Sequence, residues 1–181
     1  MENKIIITGK SGSGKNYLIN RLLNYFPNIL VKQTTRPIRN GEKDGFDYTF
    51  IDEKLFLNRI ENDEFLSYQK FNIKENTIWY YGISKEDFNK SNLCILTPGE
   101  ISILKQKDLL DKCYIIFLDM DREILEQRLN RRKDNNDNIK RRLDSDDLDF
   151  KDFSDFNLKI SNQFYKIEDI LKSISSISSI I

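Results

Sequence analysis

The sequence predicts an α/β fold, a parallel sheet core flanked by helices, and three observations carry that prediction. An apolar, β-branched run at Lys4–Thr8 enters a glycine-rich turn and then an amphipathic segment, the pattern of strand, loop and helix. Further apolar runs at Leu93–Thr97 and Tyr114–Leu118 alternate with helical periods at Ile101–Leu110 and from Asp121 to about Arg132. Alternation of this kind implies crossover connections, and therefore parallel strands. Finally, 39% of the 181 residues are apolar, enough for the core of one domain with inserted lobes.

Each element has a local justification. Leu18, Leu22, Leu23 and Phe26 repeat at helical spacing, placing a helix at Tyr17–Tyr25 that Pro27 is expected to end. Ile29–Val31 reads as a brief second strand. Phe56–Ile60 suggests a short helix, and Phe65–Phe71 and Thr77–Ile83 read as strands with Asn72–Asn76 between them. Ser84-Lys85-Glu86 is a start signal for a helix continuing through Asp87–Lys90, and Pro98-Gly99 is expected to break the strand before it. Residues 144–155 hold six aspartates without the glycine and terminal glutamate of a calcium loop, and read as a solvated face. Phe156–Ser161 is expected to be the last strand. Phe164–Ile174 closes as a helix with Ile167, Ile170 and Leu171 inward.

Composition excludes several classes of function. Lys plus Arg and Asp plus Glu each number 29, so the net charge of zero argues against a general binder of nucleic acid or membrane surfaces. The absence of histidine excludes a His-based triad, a His metal site and a His general base. Cys94 and Cys113 each sit in an apolar run and read as core thiols. No secretory signal opens the chain and no apolar run approaches membrane-spanning length, so a soluble, cytoplasmic protein is expected. No surface pattern indicates an oligomeric state.

Gly9-Lys10-Ser11-Gly12-Ser13-Gly14-Lys15 fits G-x-x-x-x-G-K. Glycines let the backbone curl so that successive N–H groups face anionic oxygens, and the following helix adds the positive end of its dipole. Lys15 can then reach terminal phosphates. The next position calls for a hydroxyl ligand to Mg²⁺, and here it is Asn16, whose amide oxygen is a less common ligand. Arg36, Arg39 and Tyr48 in the polar stretch 34–50 are either part of a solvated loop or donors to a second phosphate. Seven basic residues against two acidic ones between Arg128 and Arg142 suit either a solvated helical hairpin or a cationic lid over triphosphate.

Thr34-Thr35-Arg36-Pro37, Arg39, Gly41-Glu42, Asp44-Gly45 and Asp47-Tyr48 resemble the GMP-binding segment of guanylate kinases. The likeness continues at Glu64-Phe65, Tyr80-Tyr81-Gly82, Arg128-Leu129 and Arg142-Leu143, covering nearly the whole chain. The resemblance implies ATP as donor with Mg²⁺, small-molecule nucleotide substrates as partners, and GMP or dGMP as acceptor. It divides the chain into a P-loop NTPase-type core (about 1–32, 84–125 and 145–181), a nucleoside monophosphate-binding lobe (about 33–83) and a helical lid (about 126–144). It assigns the donor to residues 9–15, Asn16, Tyr17, Arg128, Arg132 and Asn162, and the acceptor to Arg36, Arg39, Tyr48, Ser67, Tyr81 and Ile83. Phosphoryl transfer would rest on Lys15, Arg36, Arg39, Arg132 and Arg142. Arg36→Ala is then expected to weaken acceptor binding and rate with little change in fold.

The departures from the family lie where the base is read. Ser67 stands in place of the glutamate that recognises guanine, Ile83 in place of a small hydroxyl residue, and Thr97-Pro98-Gly99-Glu100 where acidic residues follow the strand. The lid's usual Arg-Gly is Arg132-Lys133. Two alternatives follow: a kinase of the same fold for another acceptor, either a different nucleoside monophosphate or ribose 1,5-bisphosphate, or a non-catalytic binding module. Glu100 is a candidate to replace the missing carboxylate.

Overall fold

A computed structural model describes residues 3–74, 77–131 and 139–176. In chain order the elements are β1 (Lys4–Gly9), α1 (Lys15–Leu22), β2 (Gln33–Thr34), β3 (Thr49–Phe50), α2 (Glu53–Glu61), β4 (Phe65–Lys74), β5 (Thr77–Ser84), α3 (Lys85–Lys90), β6 (Leu93–Ile95), α4 (Pro98–Gln106), β7 (Cys113–Leu118), α5 (Arg122–Arg131), α6 (Ile139–Asp149), β8 (Leu158–Ile160) and α7 (Ile167–Ser175). They form two compact units, Met1–Asn28 with Asn92–Ile181, and Ile29–Ser91.

The first unit holds the expected parallel sheet, in the order β6-β1-β7-β8. Ile5–Ile7 on β1 and Tyr114–Leu118 on β7 are buried throughout, as fits central strands that read as continuous apolar runs. β1 lies between β6 and β7, so the connections that follow in sequence go to opposite sides of it. The carboxyl end of such a strand opens a crevice suited to ligands, and the glycine-rich turn leaves from that end. Cys94 and Cys113 are buried thiols in this core; burial, and then the neighbouring Cys94, push the Cys113 thiol up to about 12.

Several boundaries differ from the sequence reading. α1 stops at Leu22, where the chain tightens into a turn with the Tyr25 N–H on the Leu22 carbonyl at 2.9 Å, short of Pro27. Pro98-Gly99 opens α4 instead of only breaking β6. Thr97 caps the helix, Glu100 closes the capping box with its carboxylate on the Thr97 N–H at 2.8 Å, and proline suits a first turn with no N–H partner. α7 begins at Ile167 and not Phe164, because the Asn162 side chain accepts from the Phe164 N–H at 2.8 Å and holds 162–164 as a turn.

The acidic stretch 144–155 is not a plain solvated face. Its aspartates on α6 reach inward, as described below, and its phenylalanines cover β7. The Phe117 ring stacks on Phe150 at 5.2 Å and meets Phe153 edge-on at 5.4 Å, with Phe156 at 5.6 Å. Such pairs add about 0.5–1.5 kcal/mol each beyond area burial. The aspartates set the composition of this stretch and hide an apolar period of three.

In the second unit the sheet runs β3-β2-β5-β4, with β2–β3 parallel and the others antiparallel. The strand expected at Ile29–Val31 lies instead at Gln33–Thr34, where β3 and β5 supply ladder partners on both sides. β4 extends past its expected end to Lys74, and β5 starts at Thr77 as expected and runs on to Ser84. Phe56 of α2 stacks on Phe65 at 4.3 Å and packs on Tyr80 at 5.3 Å, forming a small core with Ile51, Ile60 and Ile78. Gly82 admits this packing, because a Cβ there would sit 2.6 Å from a Phe65 ring carbon. A register shift between Phe65 and Ser67 sets these two residues on opposite faces. Ser67, Gln69 and Phe71 therefore share the face away from α2 with Ile83, Tyr81 and Trp79, their partners across the ladder.

Candidate active site

The glycine-rich loop of the first unit is built from its own carbonyls. Gly12 and Gly14 hold φ of 81° and 101°, a region open to glycine at little cost. Lys15 Nζ donates to the Gly9 and Lys10 carbonyls at 2.7 and 3.0 Å. Arg128, reaching across from α5, donates to the Gly12 and Ser13 carbonyls at 3.2 Å each. Two cations thus hold four carbonyls, while the N–H groups of Gly12 and Gly14 have no acceptor among the described residues. Buried Ser13 Oγ likewise has no partner there. Such a loop at a helix N-terminus suits an anion.

The chain itself supplies an anionic oxygen to this loop. Asp146 Oδ2 accepts from the Ser11 N–H at 2.6 Å, and Asp147 Oδ1 from Lys10 Nζ at 2.5 Å. Arg122 pairs with Asp147 and, at 2.6 Å, with Asp144. The Lys10 hydrogen bond above all, assisted by Arg122, holds the Asp147 carboxyl below its ordinary value. No local sequence signal could reveal these contacts, since Ser11 and Asp146 lie 135 residues apart.

Asn16 and Tyr17 are exposed in the first turn of α1, and the Asn16 amide makes no hydrogen bond among the described residues. Tyr17 meets Tyr165 edge-on at 6.4 Å, and Arg128 also donates to Gln163 at 3.3 Å. Burial first, then Tyr17, pushes the Tyr165 phenol up. Tyr165 was not foreseen from the sequence; an aromatic residue just beyond Asn162 was the available signal. Arg142 is exposed on α6. Arg132 and Lys133 lie outside the described residues.

In the second unit the polar stretch 34–50 is a built structure. Arg36 is 3% exposed and its guanidinium grips Glu42 at both ends, at 2.9 and 2.7 Å. It also lies 5.4 Å from the centroid of Tyr48 and 5.5 Å from that of Phe50. Burial pulls the Arg36 pKa down, but Glu42 and the hydroxyl of Tyr81 outweigh it and leave it raised. Tyr48 meets Tyr81 at 5.8 Å, so Arg36, Tyr48 and Tyr81 form one cluster. Arg39 is exposed, and its guanidinium makes no hydrogen bond among the described residues. Its backbone N–H donates to Glu42 at 2.8 Å. Sequence spacing brought forward both arginines but not the role of Glu42 as their organiser.

This pairing has a pH signature. The Arg36 hydrogen bond, against an opposing desolvation, sets the Glu42 carboxyl below its ordinary 4.5. A depressed carboxylate contributes stability that is full above the unfolded value and is lost as pH falls through the folded one. Glu42→Gln should therefore be less stable than wild type near neutrality, with the difference shrinking below pH 4.5. Thermal melts across pH 3–7 would measure it (about the range in which carboxylates titrate), and a constant gap would disprove the linkage.

Known proteins resemble this chain over nearly its whole length. A model of the guanylate kinase family matches residues 1–179. The chain is 32% identical over 180 residues to a guanylate kinase of Mycoplasma genitalium, covering 93% of this chain and 73% of that one. It is 32% identical over 186 residues to one from Prochlorococcus marinus, covering 97% and 98%. A crystal structure of guanylate kinase from Anaplasma phagocytophilum shares the fold, with TM-score 0.61 and 21% identity over 98% of this chain and 84% of that one.

Proposed function

We propose that this chain, which belongs to the guanylate kinase family, transfers the terminal phosphoryl group of ATP to GMP or dGMP, giving ADP and the nucleoside diphosphate. The observation that carries the donor half is the Gly9–Lys15 loop, whose carbonyls are held by Lys15 and Arg128 and which already takes a carboxylate oxygen on the Ser11 amide. The acceptor monophosphate is assigned to Arg36, Arg39, Tyr48 and Tyr81. The phosphate oxygen that attacks is ionised near neutral pH, so no general base is needed, in keeping with a chain without histidine. Catalysis is then positioning and charge neutralisation: Lys15 and the loop amides on the donor, Arg36 and Arg39 on the acceptor, Arg142 and Arg132 on the moving group. Asn16 suits Mg²⁺ through its exposed amide oxygen; when bound, the ion neutralises phosphate charge. The division into core, acceptor lobe and lid, and a cytoplasmic location, belong to the same proposal.

A second reading has a specific observation in its favour. Ser67 and Ile83 pair directly across the β4–β5 ladder, and neither they nor Gln69 and Tyr81 beside them offer the carboxylate that would accept from guanine. A site built to hydrogen-bond one base discriminates strongly, and loss of the acceptor should weaken that selection. Another nucleoside monophosphate or ribose 1,5-bisphosphate is the alternative acceptor. ADP release with GMP, dGMP, AMP, CMP, UMP, dTMP and ribose 1,5-bisphosphate distinguishes them. GMP or dGMP should give the highest kcat/KM, and a tenfold preference for any other acceptor would overturn that assignment (about 1.4 kcal/mol).

A further inference from the structure

The donor site, read as above, contains a competitor from the same chain. The Asp147 charge is met by Lys10 and Arg122, and that of Asp144 by Arg122. Asp146 differs: the one hydrogen bond of its carboxylate among the described residues is to the Ser11 N–H of the loop, at 2.6 Å. An anionic oxygen on a loop amide is what a phosphoryl oxygen would also be. The two cannot share that N–H, and their charges repel at contact distance.

We propose that Asp146 sets the affinity for the donor by holding the phosphate loop as an internal anion, which the polyphosphate of the donor must displace. The inference rests on the reading of Gly9–Lys15 as the donor cradle. Its physical content is a two-state competition: the apparent donor affinity is the intrinsic one reduced by the fraction of molecules in which the Ser11 amide is free. Asp147 is the tether, because its pairing with Lys10 keeps α6 against the loop and returns Asp146 to the amide when the donor leaves. The carboxylate therefore disfavours polyphosphate binding at equilibrium without entering the chemistry of transfer.

The test uses the full chain and inorganic tripolyphosphate, followed by ATP, in isothermal titration. Asp146→Asn keeps the shape and removes the charge, and Asp146→Ala removes both. Asp149→Asn, on the same helix and exposed, is the control for a general change in helix charge. Both Asp146 variants should bind tripolyphosphate about tenfold more tightly, the scale of one charge-assisted hydrogen bond. The KM for ATP should fall while that for the acceptor stays constant, a split that general loosening of α6 would not produce. If wild type binds and Asp146→Asn binds equally or more weakly, the carboxylate is no competitor and the donor-cradle reading stands. If Asp146→Asn binds and wild type does not, the competition is upheld in its strongest form. If neither binds, the loop is no polyphosphate site and both readings fall.

Discussion

Lys15→Ala should lower kcat/KM by about 10²–10³-fold, the loss expected when a preorganised charge aimed at the transferring group is removed. Lys15 Nζ is already held by the Gly9 and Lys10 carbonyls, so little reorganisation separates its place in the structure from a place against a phosphate. Those two bonds also shape the loop, and their removal should cost about 1–2 kcal/mol of stability, since each is worth ~1 kcal/mol net. Lys15→Arg should restore little activity, because a planar fork does not replace a compact point charge within a tight backbone loop. Steady-state rates over a range of ATP concentrations at saturating acceptor, with a thermal melt of each variant, separate the two effects. Activity within threefold of wild type in a folded Lys15→Ala would remove the residue from the reaction.

Arg36→Ala should destabilise the Ile29–Ser91 unit as well as slow the reaction, which corrects the expectation of little change in fold. Breaking a buried ion pair by removing one partner costs about 3–5 kcal/mol, and the lower end applies because Glu42 keeps a fifth of its surface exposed. The Arg36 guanidinium also covers the faces of Tyr48 and Phe50, and that packing goes with it. The double replacement Arg36→Ala, Glu42→Ala should be more stable than Arg36→Ala alone, because no carboxylate is then left without its partner. Chemical denaturation of wild type, Arg36→Ala, Glu42→Ala and the double replacement closes the cycle, and additive losses would show that the pair is not coupled. Arg39→Ala separates binding from folding. Its guanidinium is exposed and makes no hydrogen bond among the described residues, so the acceptor KM should rise about tenfold with the melting temperature unchanged.

The sequence by itself determined the sheet class and the strand–loop–helix at Lys4–Leu22. These depend on local facts: the period of apolar residues and the glycines that a curled backbone requires. Helix starts were legible only in part. Ser84 announced α3, but the capping box of Thr97 and Glu100 was obscured by the proline and glycine between them.

Tertiary structure decided everything that needed a distant partner. Gln33–Thr34 is a strand because β3 and β5 lie on either side of it, which no property of those two residues foretells. A bulge between Phe65 and Ser67 chose which side chains share a face, since one added residue reverses a period of two. The aspartates of α6 read as a solvated surface because composition gives sign and density of charge, not direction. Folding carries Asp146 and Asp147 to Ser11 and Lys10, over a hundred positions away, and turns an acidic run into partners of the glycine-rich loop.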